Sequence, residues 1–514
     1  MIARVRVAAA LALTLTLTAC GGGGGSGVNV VPPRGNPGTT APVQKLSIAG
    51  VGDSLTAGTQ SSGTMGADLP IVALGVPGLG QIGPVQRTQE HGFFALLWEQ
   101  ANGVDINTMS DPTKSPLPLI LPPGIGGLLA PTSTKIFPAT VTNVCSAAQL
   151  PANQFSTALS LRMNPALNPY DVGIPGQTVH EALFMVGAVG DCTVGAPDPA
   201  SFVQLNSLVN GESQNFWPIL AGFGQGVSQV GAAASLHAQV ATVWLGSNDL
   251  LKIAFSGGAA PVTSPLSMHD DTVAIIKQLQ GAGSKVAVAN LVDVMGAATF
   301  IPQPSYQSEL QTFLTKLLIG QGVPPLQAQA LAVAYSTAYT AQETAQTGLG
   351  PNGYFTINAL LKTLQTAAAQ IPAHALPVAP TLTSGDFIAD AVANTVKALN
   401  ASYNVAIGQA ATDTGAALVD IHKLFSQIAA NGGVPINGAT CCTLIYLGGL
   451  NSLDGLHPSN TGYALIANAF IDTLNAAYNL GIPDVNVTTV YTTDPYAPGS
   501  SNSVVPSSIQ RRAR

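Results

Sequence analysis

Charge is what this chain of 514 residues has least of. Asp, Glu, Lys and Arg supply 8% of it, against roughly 25% in an average soluble domain, and 18 basic residues face 25 acidic ones. A formal net charge of −7 leaves no basic stripe to neutralise phosphates, which argues against nucleic acid as a partner. Cysteine is scarce too, at five residues; no pair has the spacing of a zinc site, so no metal is expected, and no cofactor is expected either. The N-terminal apolar run, residues 7–19, is too short to span a bilayer. What the chain does have is 46% hydrophobic residues, enough for a large core, under a surface that Ser, Thr, Asn, Gln, Gly and Ala must cover.

Arg4 and Arg6 precede that apolar run in the manner of an export signal. The run ends in Leu17-Thr18-Ala19-Cys20, which resembles the bacterial lipobox. The resemblance implies cleavage before Cys20 and a diacylglyceryl group on its thiol, with the glycine run 21–25 as a flexible tether. Gly rather than Asp at position 21 suits an outer-membrane destination if the cell is Gram-negative. An ordinary signal peptide with a chance cysteine is the alternative. In an exported chain Cys145, Cys192, Cys441 and Cys442 are expected to form two disulfides, and three connectivities are open.

Residues 21–43, rich in Gly, Pro and Thr, read as a linker, and 486–514 as a partly disordered tail. Between them short β-branched runs alternate with helical patterns, the signature of βα units around a mainly parallel sheet. The clearest strands are 46–51, 241–245, 285–291 and 416–421. Helical periodicity covers 92–100, 270–279, 307–318, 326–344, 386–414 and 460–478. Two stretches break the alternation: 60–165, rich in Gly and Pro, and a helical insertion over about 299–385. Each could form a substrate-site wall, a lid or plain scaffold.

Four motifs end or follow these elements. The first strand runs into Gly52-Asp53-Ser54-Leu55, placing a hydroxyl at the carboxyl rim of the sheet, where open α/β folds bind ligands; alone, the string fits a structural turn as well. Gly173-Ile174-Pro175-Gly176 can present the Gly176 N–H to an oxyanion; a loop that needs Gly only for its bend is the alternative. Gly246-Ser247-Asn248-Asp249 follows another strand, where the Asn248 amide can donate to the same oxyanion, though Asn and Asp also form turns. Last comes Asp454-Gly455-Leu456-His457. Imidazole can take a proton from a serine hydroxyl and return it to a leaving alkoxide, and a carboxylate fixes its tautomer.

These blocks, in this order, resemble the SGNH or GDSL hydrolase family over roughly residues 45–485. The resemblance implies a flavodoxin-like three-layer α/β/α sandwich with a mainly parallel sheet and two long insertions, in one domain spanning 44–485. It implies Ser54 as nucleophile, His457 as base and Asp454 as its orienter. The Ser54 N–H, Gly176 N–H and Asn248 side chain would form the oxyanion hole. Asn290-Leu291-Val292-Asp293, Leu399-Asn400 with Tyr403-Asn404, and Asp420 add to the likeness, while Asp171 stands where many relatives carry Asn.

The expected activity is hydrolysis of carboxylic esters or lipids by a membrane-anchored enzyme; the oligomeric state is left open. Deacetylation of surface polysaccharide is a second reading, and a non-catalytic surface-binding lipoprotein a third, which the intact catalytic set argues against. His180 reads as an ordinary helical histidine. Asp53 and Asp249 read as loop-fixing acceptors, and His269-Asp270-Asp271 as a solvated helix start.

Overall fold

The apolar run after Lys45 becomes β1 (Ile48–Gly52), buried throughout. The computed structural model describes residues 45–61, 63, 64, 66, 86–106, 114–120, 125, 126, 168–185, 219, 220, 223, 227–372, 375–436 and 439–503. Cys20, Cys145, Cys192, the linker and most of the 60–165 insertion lie outside them. Short β2 (Gly63–Thr64) and β3 (Ile125–Gly126) pair antiparallel. Then come β4 (Val240–Trp244), β5 (Lys285–Ala289), β6 (Phe300–Pro302), β7 (Tyr354–Thr356), β8 (Phe387–Ile388), β9 (Ala417–Val419), β10 (Val434–Ile436) and β11 (Ala439–Cys442). Among the described residues β1, β4, β5 and β9 make a four-stranded parallel sheet in the order β1-β4-β5-β9. These are the four runs expected as strands, with ends shifted by a residue or two.

Helices α1 (Phe93–Asn102), α2 (Val179–Phe184), α3 (Gln229–Ser235), α4 (Ser247–Phe255) and α5 (Pro265–Gly281) lie between the first sheet strands and beside them. After β6 come α6 (Gln303–Gly320), α7 (Pro325–Thr347), α8 (Ile357–Gln370) and α9 (Asp390–Thr414). The chain ends its described part with α10 (Ile421–Ala430), α11 (Asn460–Tyr478) and α12 (Val487–Thr493). Local chemistry sets the boundaries: Ser264 caps α5 ahead of Pro265, Ser459 caps α11, and Gly415 ends α9 in a left-handed conformation.

Side chains alternate across the strands, so successive β4 residues serve different helices. Trp244 meets Phe93 of α1 at 5.5 Å and Phe470 of α11 at 6.3 Å. Ala241 and Val243 instead join a core with Ile275 and Ile276 of α5 and Val396 and Tyr403 of α9. The sheet is thus flanked by helices in a mixed α/β fold.

The insertion expected to be helical also contains strands. β6, β7 and β8 form an antiparallel sheet, and strands of two or three residues show too little alternation to be read from sequence. Its core of Tyr306, Leu310, Phe313, Tyr339 and Phe355 takes in Tyr446, Leu447 and Leu453 from the segment before His457. The tail expected from residue 486 is likewise folded as far as 503: it holds α12, and buried Asp494 accepts from the Thr461 N–H and hydroxyl at 2.8 and 2.6 Å. That acceptor at the start of α11 fixes a stretch whose composition alone suggests disorder.

Candidate active site

Gly52 ends β1 because nothing larger fits: a Cβ there would lie 1.9 Å from Thr56 Oγ1 and 2.9 Å from the Trp244 carbonyl. The chain then turns. Asp53 Oδ1 accepts from the Leu55 N–H at 2.9 Å, and the Asp53 and Ser54 carbonyls accept from Ala57 and Thr59, which holds Ser54 at the carboxyl end of the sheet. The second motif is brought alongside by backbone bonds: Gly50 N–H donates to Tyr170 O, Val172 N–H to Gly50 O and Ile174 N–H to Gly52 O, at 2.8–3.0 Å. Buried Gln229 ties the two together, donating from Nε2 to both the Gly52 and Val172 carbonyls at 2.6 Å. Asp171 Oδ1 accepts from Gly173 N–H, and burial pushes its carboxyl well above the usual range.

The third motif starts α4. Asp249 reaches back to the second one, Oδ2 accepting from the Val179 N–H at 3.1 Å and Oδ1 from Thr263 at 2.6 Å. Burial raises Asp249 to about 6.

His457 joins Ser54 across the chain. Its Nε2 lies 2.9 Å from Ser54 Oγ and its Nδ1 2.7 Å from Asp454 Oδ2. An ionised carboxylate can only accept, so Nδ1 carries the hydrogen of a neutral ring and Nε2 is left to accept from the Ser54 hydroxyl. Asp454 Oδ1 takes the Leu456 and His457 N–H groups at 2.8 and 2.9 Å and the Ser452 hydroxyl at 3.2 Å. Burial pushes Asp454 up, but the His457 charge and the hydrogen bonds from His457 and from the Leu456 N–H outweigh it and hold the carboxyl below its ordinary value. His457 and Asp454 are both buried.

Of the three expected oxyanion donors, the Ser54 and Gly176 N–H groups donate to no acceptor among the described residues. Gly176 sits at φ +90°. Asn248 differs from expectation in detail: Nδ2 donates to Asp53 Oδ2 at 3.0 Å and to Gln177 O at 3.2 Å, so both amide hydrogens are engaged. To serve an oxyanion it must release one of them. Asp53 is raised to about 7 by burial, against the pull of the Leu55 N–H and the His457 charge.

Sequence reading missed a clasp behind the triad. Ser61 N–H donates to Ser452 Oγ at 2.8 Å, and Leu453 N–H to Ser61 Oγ at 3.1 Å. Ser61 adopts φ +49° to do so, a conformation rare and costly outside glycine. Isolated serines carry no pattern that would have flagged either residue.

A cavity of about 190 Å³ opens at Ser54 and His457, walled mainly by apolar side chains including Leu251, Val292, Phe425 and Leu444. The other singled-out residues lie elsewhere. His180 pairs with Asp271 at 3.0 Å, and His269 with Asp270 and Asp413. Cys441 and Cys442 are joined to each other, one of the three pairings left open. Among the described residues no group of three or more His, Cys, Asp or Glu side chains could hold a metal ion, and no helix is long and apolar enough to cross a membrane. No protein-family model, curated protein or solved structure matches the chain.

Proposed function

We propose that this chain is a serine hydrolase of carboxylic esters, of the SGNH/GDSL kind with its flavodoxin-like three-layer sandwich. The observation that carries the reading is the unbroken hydrogen-bond chain Asp454–His457–Ser54, at 2.7 and 2.9 Å, ending in an apolar cavity. Ser54 Oγ attacks the ester carbonyl carbon as its proton passes to His457 Nε2. The Asp454 carboxylate stabilises the resulting imidazolium. The Ser54 and Gly176 N–H groups, joined by Asn248, take the oxyanion. Collapse expels the alkoxide with the proton from His457, and water repeats the sequence on the acyl-enzyme. The lipobox-like end at Cys20 supports an exported, lipid-anchored placement.

A fluorophosphonate probe followed by mass mapping tests the assignment: modification is expected at Ser54 and absent in Ser54→Ala. Near-normal ester turnover by purified Ser54→Ala would sink it. Asn248→Ala is expected to keep measurable turnover, reduced ~10²- to 10³-fold as for loss of one oxyanion donor.

A further inference from the structure

A second cavity of about 990 Å³ adjoins the one at Ser54, the two sharing Asp293, Gly296, Ala297, Ala429 and Leu444 in their linings. Three of those five project no more than a single carbon, so little side-chain bulk stands between the two spaces. One side of the second cavity is the insertion: Phe300, Ile301 and Pro302 of β6, then Ser305 and Thr312 of α6. The facing side is Ile428 of α10 with Leu444, Ile445 and Tyr446. Buried Met295, Phe300, Ile301, Ile428 and Tyr446 contribute apolar surface. The cavity's charged lining groups are Asp293, Glu309, Lys316 and Lys397, the last lying over the Tyr354 ring at 5.0 Å. An ester with two short arms has no use for this space.

We infer that this groove is a specificity subsite that takes a long aliphatic chain of the ester whose carbonyl sits at Ser54, so that the insertion sets chain-length preference. The inference rests on the ester-hydrolase reading of Ser54. Its support is the wall the two cavities share, the small residues in it and the apolar side chains on either side. The chain can belong to the acyl or the alcohol half of the substrate, and both present the same surface to the groove. Each methylene that leaves water is worth about fourfold in kcat/KM, so a few of them give a steep preference.

Two ester series presented in mixed micelles test it: p-nitrophenyl esters from acetyl to palmitoyl, and acetates of ethanol to hexadecanol. In one series kcat/KM is expected to climb with chain length, and that series identifies the half that enters. Ser305→Trp and Thr312→Trp, at an exposed and a half-buried position of α6, fill the groove from one side. Each is expected to lower the long-to-short ratio of kcat/KM in that series at least tenfold, with the fold checked by circular dichroism. A ratio unchanged in both folded variants, or wild-type turnover that does not rise with length in either series, overturns the subsite while leaving the ester-hydrolase reading intact. Failure of the wild-type protein to turn over any ester, with no labelling at Ser54, overturns that reading and the subsite with it.

Discussion

Ser452 stands between the Ser54 loop and Asp454: its hydroxyl accepts from Ser61 N–H and shares its hydrogen between Asp454 Oδ1 at 3.2 Å and the His457 carbonyl at 3.1 Å. It touches no reacting atom and acts by holding Asp454, which makes it a positioning residue. A hydrogen bond to a charged group contributes ~1.5–3 kcal/mol. Ser452→Ala is therefore expected to lower kcat roughly ten- to a hundredfold with little change in KM. Ser452→Thr, which keeps the hydroxyl, should restore much of the loss. A KM effect alone would refute the positioning role. At this scale the triad was legible, since Ser54, Asp454 and His457 sit in motifs whose chemistry is distinctive. Ser61, Ser452 and Gln229 were not, because an isolated polar residue that serves by a few hydrogen bonds to distant partners carries no periodicity or spacing.

Among the elements, those with enough turns or alternation to show a period were readable: β1, β4, β5, β9 and the long helices α5, α7, α9 and α11. What escaped was short or shared its residues with a motif. α4 begins at Ser247 inside a block read for the Asn248 amide and its turn-forming neighbours rather than as a helix start, and β6–β8 are too brief to alternate. The insertion was visible as a break in pattern, but its attachment to the active site was not. Leu453, directly before Asp454, belongs to the insertion core, and Thr299 N–H donates to the Gly455 carbonyl at 2.8 Å. Phe313→Ala in that core should cost about 3–5 kcal/mol by the usual large-to-small penalty, measurable by chemical denaturation. Ester turnover should then fail on heating at the same lowered temperature as the helical signal. Retention of turnover after the insertion has melted would show that the His457 loop stands without it.

For the molecule as a whole, buried carboxyls set how stability responds to pH. Asp53 and Asp249 titrate at about 7 and 6 and Asp171 is raised well above its ordinary value, all chiefly through burial. In the unfolded chain these groups ionise near 3.8, so between that pH and their folded values the native state holds more protons. Their contribution is full below about 4 and is lost as pH rises through 6 to 7. Asp454 has the opposite sign, its contribution being present above 3.8 and lost on acidification below it. Thermal melts should therefore give a lower Tm at pH 8 than at pH 5, and Asp53→Asn should narrow the gap. An Asp53→Asn gap as wide as the wild-type one would contradict the assignment.

The clasp between Ser61 and Ser452 closes a loop of nearly the whole domain, its partners 391 positions apart and the catalytic Ser54 and His457 403 apart. Contacts of such separation form late, after local helices and neighbouring strands have restricted the chain. A nascent polypeptide emerging N-terminus first carries Ser54 long before His457. The Ser54–His457 pair thus stays unassembled until synthesis has passed His457, so under the proposed ester-hydrolase reading an unfinished chain would hold no competent site.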